Sequence, residues 1–237
     1  MNDVMAELAA GAVPGSVCRN SLEKRRDLLR TGRSGTLDER TAIGLFGELI
    51  LLRDLARLSP RAVSSWTGPE GGRFDFMGAE VAIEVKTSTR RYGRLLEING
   101  EAQLDAPPCL SLYLNFLRLE SIPAGGEQLW DLYAAILEAG ASVSELQRKL
   151  EHLSVDEALL KDDARRYRLL EARLYSVQDG FPRIVPSSFN GNQLPGGAFR
   201  LRYMIDLSGE PPMPLDRASS DAVLRAMMRG NASARRA

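Results

Sequence analysis

One histidine, His152, and two cysteines, Cys18 and Cys109, are all that this 237-residue chain holds of the side chains that most often bind zinc. That shortage excludes a two-histidine zinc motif and a Cys/His finger. A serine–histidine–aspartate triad would have to use His152, which falls inside a predicted surface helix. The two cysteines lie far apart and match no metal-ligand spacing, so they read as free thiols of a cytosolic protein. Long hydrophobic runs are missing too, and no stretch is apolar enough to cross a membrane. The first residues are acidic and alanine-rich rather than basic and then apolar, so no signal peptide is expected and the expected location is the cytoplasm. Charge of one sign is also absent: 31 Lys and Arg balance 31 Asp and Glu. Without a global basic field, any nucleic-acid binding must rest on a local patch.

What is present is a hydrophobic content of 44 %, enough for a real core. The length allows one domain with additions, or a domain plus a small second one. The expected division is a lead-in over 1–36, an α/β domain over 37–210 with a helical insertion at about 127–165, and a C-terminal helix and polar tail over 211–237. Within the lead-in, Ser21 to Arg30 reads as a short helix. The strongest helix is Leu37 to Leu58, capped by Thr36 or Asp38 and stopped by Ser59-Pro60. Its Ile43, Phe46, Leu49, Ile50, Leu52 and Leu55 recur at helical spacing. Gly44 and Gly47 would let a face of it pack closely. Glu48 stands out, because a carboxylate among Leu45, Phe46, Leu49 and Ile50 is costly without a partner.

Ala62 to Thr67 reads as a strand, followed by a turn-rich loop over Gly68 to Gly72. Phe74 to Met77, the tight turn Gly78-Ala79 and Glu80 to Lys86 form a hairpin. Residues two apart on a strand share a face, so Glu84 and Lys86 project side by side, about 7 Å apart along the backbone. Asp75, on the partner strand, can reach the same patch. Two carboxylates and an ammonium suit an oxygen-ligated divalent metal with a cationic neighbour. Taken alone, Glu84 and Lys86 would more simply be an exposed ion pair, worth about 0–1 kcal/mol.

Arg94 to Asn99 is a third predicted strand, Gly100 to Leu104 the start of a short helix carrying Gln103, and Cys109 to Arg118 a buried strand. Helices follow over Glu127 to Ala139, after the capping box Ser142-Val-Ser-Glu145, and after Ser154-Val-Asp-Glu157. Leu169 to Gln178 and Ala198 to Leu207 read as strands, and a last short helix surrounds Ala222 to Met228. Thr87 to Arg94 carries Arg90, Arg91 and Arg94 with no acid. Such a run is commonly a solvated loop. Next to an acidic metal site it is where a phosphate backbone could be held, with Thr87 and Ser88 beside it.

A helix bearing Glu48, then Asp75, then Glu84-Val-Lys86 resembles the PD-(D/E)XK nuclease superfamily. Gly44-Leu-Phe-Gly-Glu-Leu49, Trp66-Thr-Gly-Pro69, Glu84-Val-Lys-Thr87, Gln103-Leu104 and Phe181-Pro-Arg-Ile184 resemble an uncharacterised bacterial family within it that is associated with phage-defence loci. The likeness runs from about Leu37 to Leu207. One departure is that Phe74, not proline, precedes Asp75. The resemblance implies a restriction-endonuclease-like α/β core: a helix, a mixed sheet and a further helix, with C-terminal strands added. It implies an endonuclease that hydrolyses DNA with Mg²⁺ or Mn²⁺. The implied metal ligands are Asp75, Glu84, the Val85 carbonyl and Glu48, with Lys86 and Gln103 completing the catalytic set. Its implied partners are DNA, other proteins of a defence system and, for cutting both strands, a second copy of the chain. A different class of protein also fits, a catalytically inactive DNA-binding or scaffold module. An RNA-processing nuclease is a third reading.

Overall fold

In a computed structural model the chain is described over residues 36–198 and 200–229. The expected helix at Ser21 to Arg30, Cys18 and the Arg235-Arg236 tail lie outside the described residues. The architecture is a mixed α/β arrangement compatible with a PD-(D/E)XK-like core. A four-stranded mixed sheet has helices on one face and a two-stranded ribbon on the other.

The long helix α1 spans Glu39–Leu58. It starts where Asp38 accepts from the Thr41 amide, satisfying one of the helix's unpaired N–H groups. It stops where Ser59 turns extended and Pro60 begins a 3-10 turn, Pro60–Ser65. Its buried arc is wide because α1 lies between the sheet and a second helix layer.

The sheet order is β1-β2-β4-β5, built from β1 Phe76–Met77, β2 Val81–Ser88, β4 Ser111–Ser121 and β5 Tyr167–Ser176. β1 and β2 form the predicted hairpin, antiparallel with Phe76 opposite Ile83. β2 runs parallel to β4, and β4 antiparallel to β5. Val81, Ile83 and Val85 point to the helix-side core with Phe46, Leu49 and Leu52. Ala82, on the opposite face, joins Leu112, Leu114 and Phe116 in a second core beneath the ribbon. Period-two alternation puts Glu84 and Lys86 on this second face.

Several expected elements differ. Ala62 to Thr67 is not a strand: Ser59 and Pro60 start a tight helical turn, and only Trp66 makes a bridge, to Phe76. β3, Leu95–Asn99, is a strand but does not extend the main sheet. It pairs antiparallel with β6, Arg202–Asp206, as a separate ribbon. Gly100 to Leu104 forms turns rather than a helix. The helices between β4 and β5 are α2 Leu129–Glu138, α3 Val143–His152 and α4 Glu157–Asp162. Ser142 caps α3 as expected, whereas α4 is capped by Asp156, not by Ser154. The last helix, α5 Arg217–Arg229, is longer than predicted and packs Met227 against Gly78 at the hairpin turn. Among the described residues no helix is long and apolar enough to cross a membrane.

The Phe181-Pro-Arg-Ile184 segment braces the ribbon. Phe181 packs on Tyr175, Arg183 donates to the Leu104 carbonyl, and the Tyr203 hydroxyl accepts from the Ile184 amide. These contacts tie the ribbon to β5 and to the turn after β3.

Candidate functional site

The cleft has a volume of about 650 Å³ and gathers residues from α1, the hairpin, the ribbon and the turn after β3. From α1 come Arg40, Gly44 and Glu48, four residues apart and therefore on one face. From β2 come Glu84, Lys86 and Ser88, and Asp75 enters from just before β1. The ribbon contributes Leu95, Glu97, Asn99 and Met204.

Asp75 is anchored through both its backbone and its side chain. The Thr67 and Gly68 amides donate to its carbonyl at 2.8 and 3.0 Å. Its Oδ2 accepts from the Val85 amide at 2.7 Å. β1 is only two residues long, so it ends before it could pair with this part of β2. The N–H and C=O of one strand residue point the same way, so the Val85 carbonyl is directed to the Asp75 side as well. Val85 packs its side chain in the helix-side core, and what it offers the cleft is backbone.

Glu84 is 2 % exposed, and its Oε1 accepts from Lys86 Nζ at 2.9 Å. This is a buried pair at the base of a cleft, not the exposed pair that a solvated sheet face would carry. Burial, and then the charge of Asp75, push the Glu84 carboxyl up to about 8, against the pull of Lys86. Burial opposes the charge on Lys86, but Glu84 and Asp75 together outweigh it and raise its affinity for the proton. Glu48 is driven well above the ordinary carboxylate range by burial and by Asp75, although Trp66 Nε1 donates to its Oε2 at 2.6 Å. Gly68 sits against both remaining groups. A Cβ there would lie 3.1 Å from Asp75 Oδ1 and 3.3 Å from Glu48 Oε2.

Ionising all three carboxylates would set three negative charges against one ammonium in a poorly solvated place, and burial together with Asp75 makes Glu84 and Glu48 hold their protons instead. A hard divalent cation would relieve the repulsion and accept the oxygen donors. Among the described residues no group of three or more His, Cys, Asp or Glu is arranged as a ready-made metal cage. Mg²⁺ seldom needs one: it commonly takes one or two carboxylates and keeps several waters. The donor set fits it in that mode.

The residues singled out from sequence divide. Glu48, Asp75, Glu84, Val85, Lys86, Thr87, Ser88, Arg90 and Gln103 all border the cleft. Gln103 does so from a turn, where its Oε1 accepts from the Asn99 amide at 3.0 Å. The Thr87 hydroxyl lies against Gly47 of α1, buried and without a hydrogen-bond partner. Arg91 and Arg94 lie off the cleft lining. Arg91 stacks over Tyr92, and Arg94 grips Glu171 at 2.7 and 2.9 Å and the Leu207 and Ser208 carbonyls.

Gly44 is a correction to the expected packing role, since a Cβ there would meet nothing within 4 Å. Gly47 is the close approach, with Thr87 Oγ1 1.9 Å from where its Cβ would be. Arg40 was missed, although its spacing of four from Gly44 and eight from Glu48 was a readable signal. It reaches across the cleft to Glu97 at 2.8 Å, and Arg202 approaches the same carboxylate at 3.6 Å.

No curated protein matches the chain, and no solved structure does. One family model matches residues 4–208, reaching upstream of the motif-bearing stretch. That family, DUF4420, is described as "Putative PD-(D/E)XK family member". With the match covering most of its length, this chain belongs to the DUF4420 family.

Proposed function

We propose that this chain is a divalent-metal-dependent nuclease that hydrolyses DNA phosphodiester bonds, acting in restriction or phage defence. The observation that carries the reading is the convergence of Glu48 from α1 with Asp75, Glu84 and Lys86 of the hairpin region on one cleft. PD-(D/E)XK nucleases generally use divalent metals, and family membership agrees with the acidic donor set. Asp75, Glu84, the Val85 carbonyl and Glu48 would hold Mg²⁺ or Mn²⁺. When bound, the cation supplies charge neutralisation for the phosphate and a more acidic water.

The chain's own groups do the rest. Lys86, kept cationic by Glu84 and Asp75, donates toward the attacking water and the charge that develops on phosphorus's oxygens. Glu84 holds the Lys86 ammonium in place. Arg90 and Ser88 border the cleft where a strand of DNA would leave it. The defence role is carried by resemblance alone.

The test is cleavage of supercoiled plasmid and of labelled single- and double-stranded oligonucleotides with Mg²⁺ or Mn²⁺, against EDTA controls. Metal-dependent cutting that disappears in Lys86→Ala, with folding retained, is the expected result. DNA binding without cutting under any of these conditions would replace the nuclease with the non-catalytic module.

A further inference from the structure

Lys149 on α3 is 2 % exposed, an uncommon place for a lysine. Its Nζ donates to the Trp66 carbonyl at 2.5 Å and to Glu70 Oε2 at 2.9 Å. Arg148, its neighbour, donates to Glu70 Oε1 at 2.6 Å. Glu70 ends the turn Gly68–Glu70, which begins one residue after Trp66-Thr67 and carries the Gly68 that borders Asp75 and Glu48. α3 therefore grips the tryptophan loop at both ends.

Trp66 passes that grip to the cleft. Its indole is 0 % exposed and donates from Nε1 to Glu48 Oε2. An indole is a donor only, with a single N–H. If the Glu48 carboxylate turned away, a buried donor would be orphaned, and that is costly. The bond thus favours one orientation of Glu48, with one oxygen committed to Trp66 and the other turned away from it.

We propose that Trp66 is a positioning residue that aims the Glu48 carboxylate at a cation in the cleft, and that Lys149 is the brace that holds Trp66 at the required depth. The helices between β4 and β5 then belong to the working parts of the site rather than to its periphery. The proposal rests on the metal-dependent reading above. This support crosses to the site from α3, 83 residues further along the chain from Trp66.

The chain has two tryptophans. Trp130→Phe keeps an aromatic ring on Tyr133 and leaves Trp66 as the sole indole emitter. Titrating this variant of the whole 237-residue chain with Mg²⁺ should shift or quench Trp66 emission, and adding Glu48→Gln should remove the response. In parallel, Mn²⁺ binding is followed by the loss of the free-ion electron paramagnetic resonance signal. Trp66→Phe should weaken Mn²⁺ binding about tenfold, the scale typical of losing a partner that orients a metal ligand. In cleavage it should raise the metal concentration needed more than it lowers the rate at saturating metal. Lys149→Met should weaken Mn²⁺ binding in the same direction.

Trp66 emission that ignores Mg²⁺ at concentrations that fill the site would overturn the proposal. So would a cooperatively folded Trp66→Phe that binds Mn²⁺ as tightly as the native chain. If Trp66→Phe does not fold, the emission titration decides alone. Failure of the native chain to bind Mn²⁺ at all would be failure of the metal-centre reading itself, and the proposal falls with it.

Discussion

The amide of Val85 donates to Oδ2 of Asp75 at 2.7 Å, so the carboxylate that begins the site is bolted to the strand that completes it. Asp75 therefore has two separable roles, as a hydrogen-bond acceptor that shapes the hairpin and as a charge. Asp75→Asn keeps an oxygen acceptor and removes the charge. It should fold with a melting temperature close to the native one, and it should lose metal-dependent cutting and Mn²⁺ binding. Asp75→Ala removes the acceptor as well and should cost about 1.5–3 kcal/mol in stability, the range for a hydrogen bond to a charged group. Urea denaturation of both variants separates the roles. Equal stability of the two would mean that the Val85 bond contributes nothing.

Gly44 and Gly47 on α1 should respond to alanine with opposite signs. At Gly47 the new methyl would collide with Thr87 Oγ1, in a packed layer with Leu117 close by. Overpacking of this kind costs about 1–3 kcal/mol. Thr87→Ala removes the colliding hydroxyl, which has no hydrogen-bond partner, and in the double variant should recover much of the loss. At Gly44 a methyl meets nothing, so Gly44→Ala should stabilise the helix by about 0.5–1 kcal/mol. It also narrows the cleft between Arg40 and Glu48, so DNA cleavage should fall while stability rises. Thermal melts and cleavage rates on the same preparations check both. A Gly44→Ala that cuts as well as the native chain would remove α1 from the substrate path.

The pH dependence of stability follows from Glu84. Its folded carboxyl is raised to about 8 from an ordinary 4.5, first by burial and then by Asp75. Between those values the folded state binds more protons than the unfolded one. The stabilising contribution is therefore fully present below about 4.5 and is lost as pH rises through about 8. In EDTA the melting temperature should decline across that window, and Glu84→Gln should flatten the decline and raise the melting temperature at its upper end. Added Mg²⁺ should do the same for the native chain by stabilising the ionised form, and should have no such effect on Glu84→Gln. A melting temperature in EDTA that climbs with pH would contradict the assignment.

How much of this could be read from sequence depends on the range of the interaction. Glu84 and Lys86 were legible because alternation along one strand is local and exact in period. Glu48 was legible because a charge stood in an apolar helix stripe. The pairing of β3 with β6 was not: Leu96 and Ile98 alternate as any strand does, and periodicity does not name the partner. Ala62 to Thr67 looked like a strand because its residues suit one, while Ser59 and Pro60 started a helical turn instead. Trp66 falls in that expected strand, and only three dimensions bring its indole to Glu48, 18 residues upstream. The Arg40, Gly44, Glu48 line was available in the spacing, hidden by a helix whose dominant signal is burial.

Arg94 and Arg90 test how far an arginine run can be read as a single patch. Arg94 is half-buried and holds Glu171 with two guanidinium bonds while also meeting the Leu207 and Ser208 carbonyls. Arg118 and Arg173 share the same carboxylate, so the cluster ties the start of β3 to β5 and the chain after β6. Arg90 is exposed and borders the cleft. Arg94→Ala should lower the melting temperature and leave the salt dependence of DNA affinity unchanged. Arg90→Ala should leave stability unchanged and weaken DNA binding at low salt. Each phosphate contact contributes about 0.9 to the slope of log affinity against log salt, so its slope should be shallower by about that amount. Filter binding across a salt series, with thermal melts of the same variants, separates the two. If Arg94→Ala, still folded, proved the variant with the shallower slope, the phosphate path would run over the β3–β5 junction instead of through the cleft.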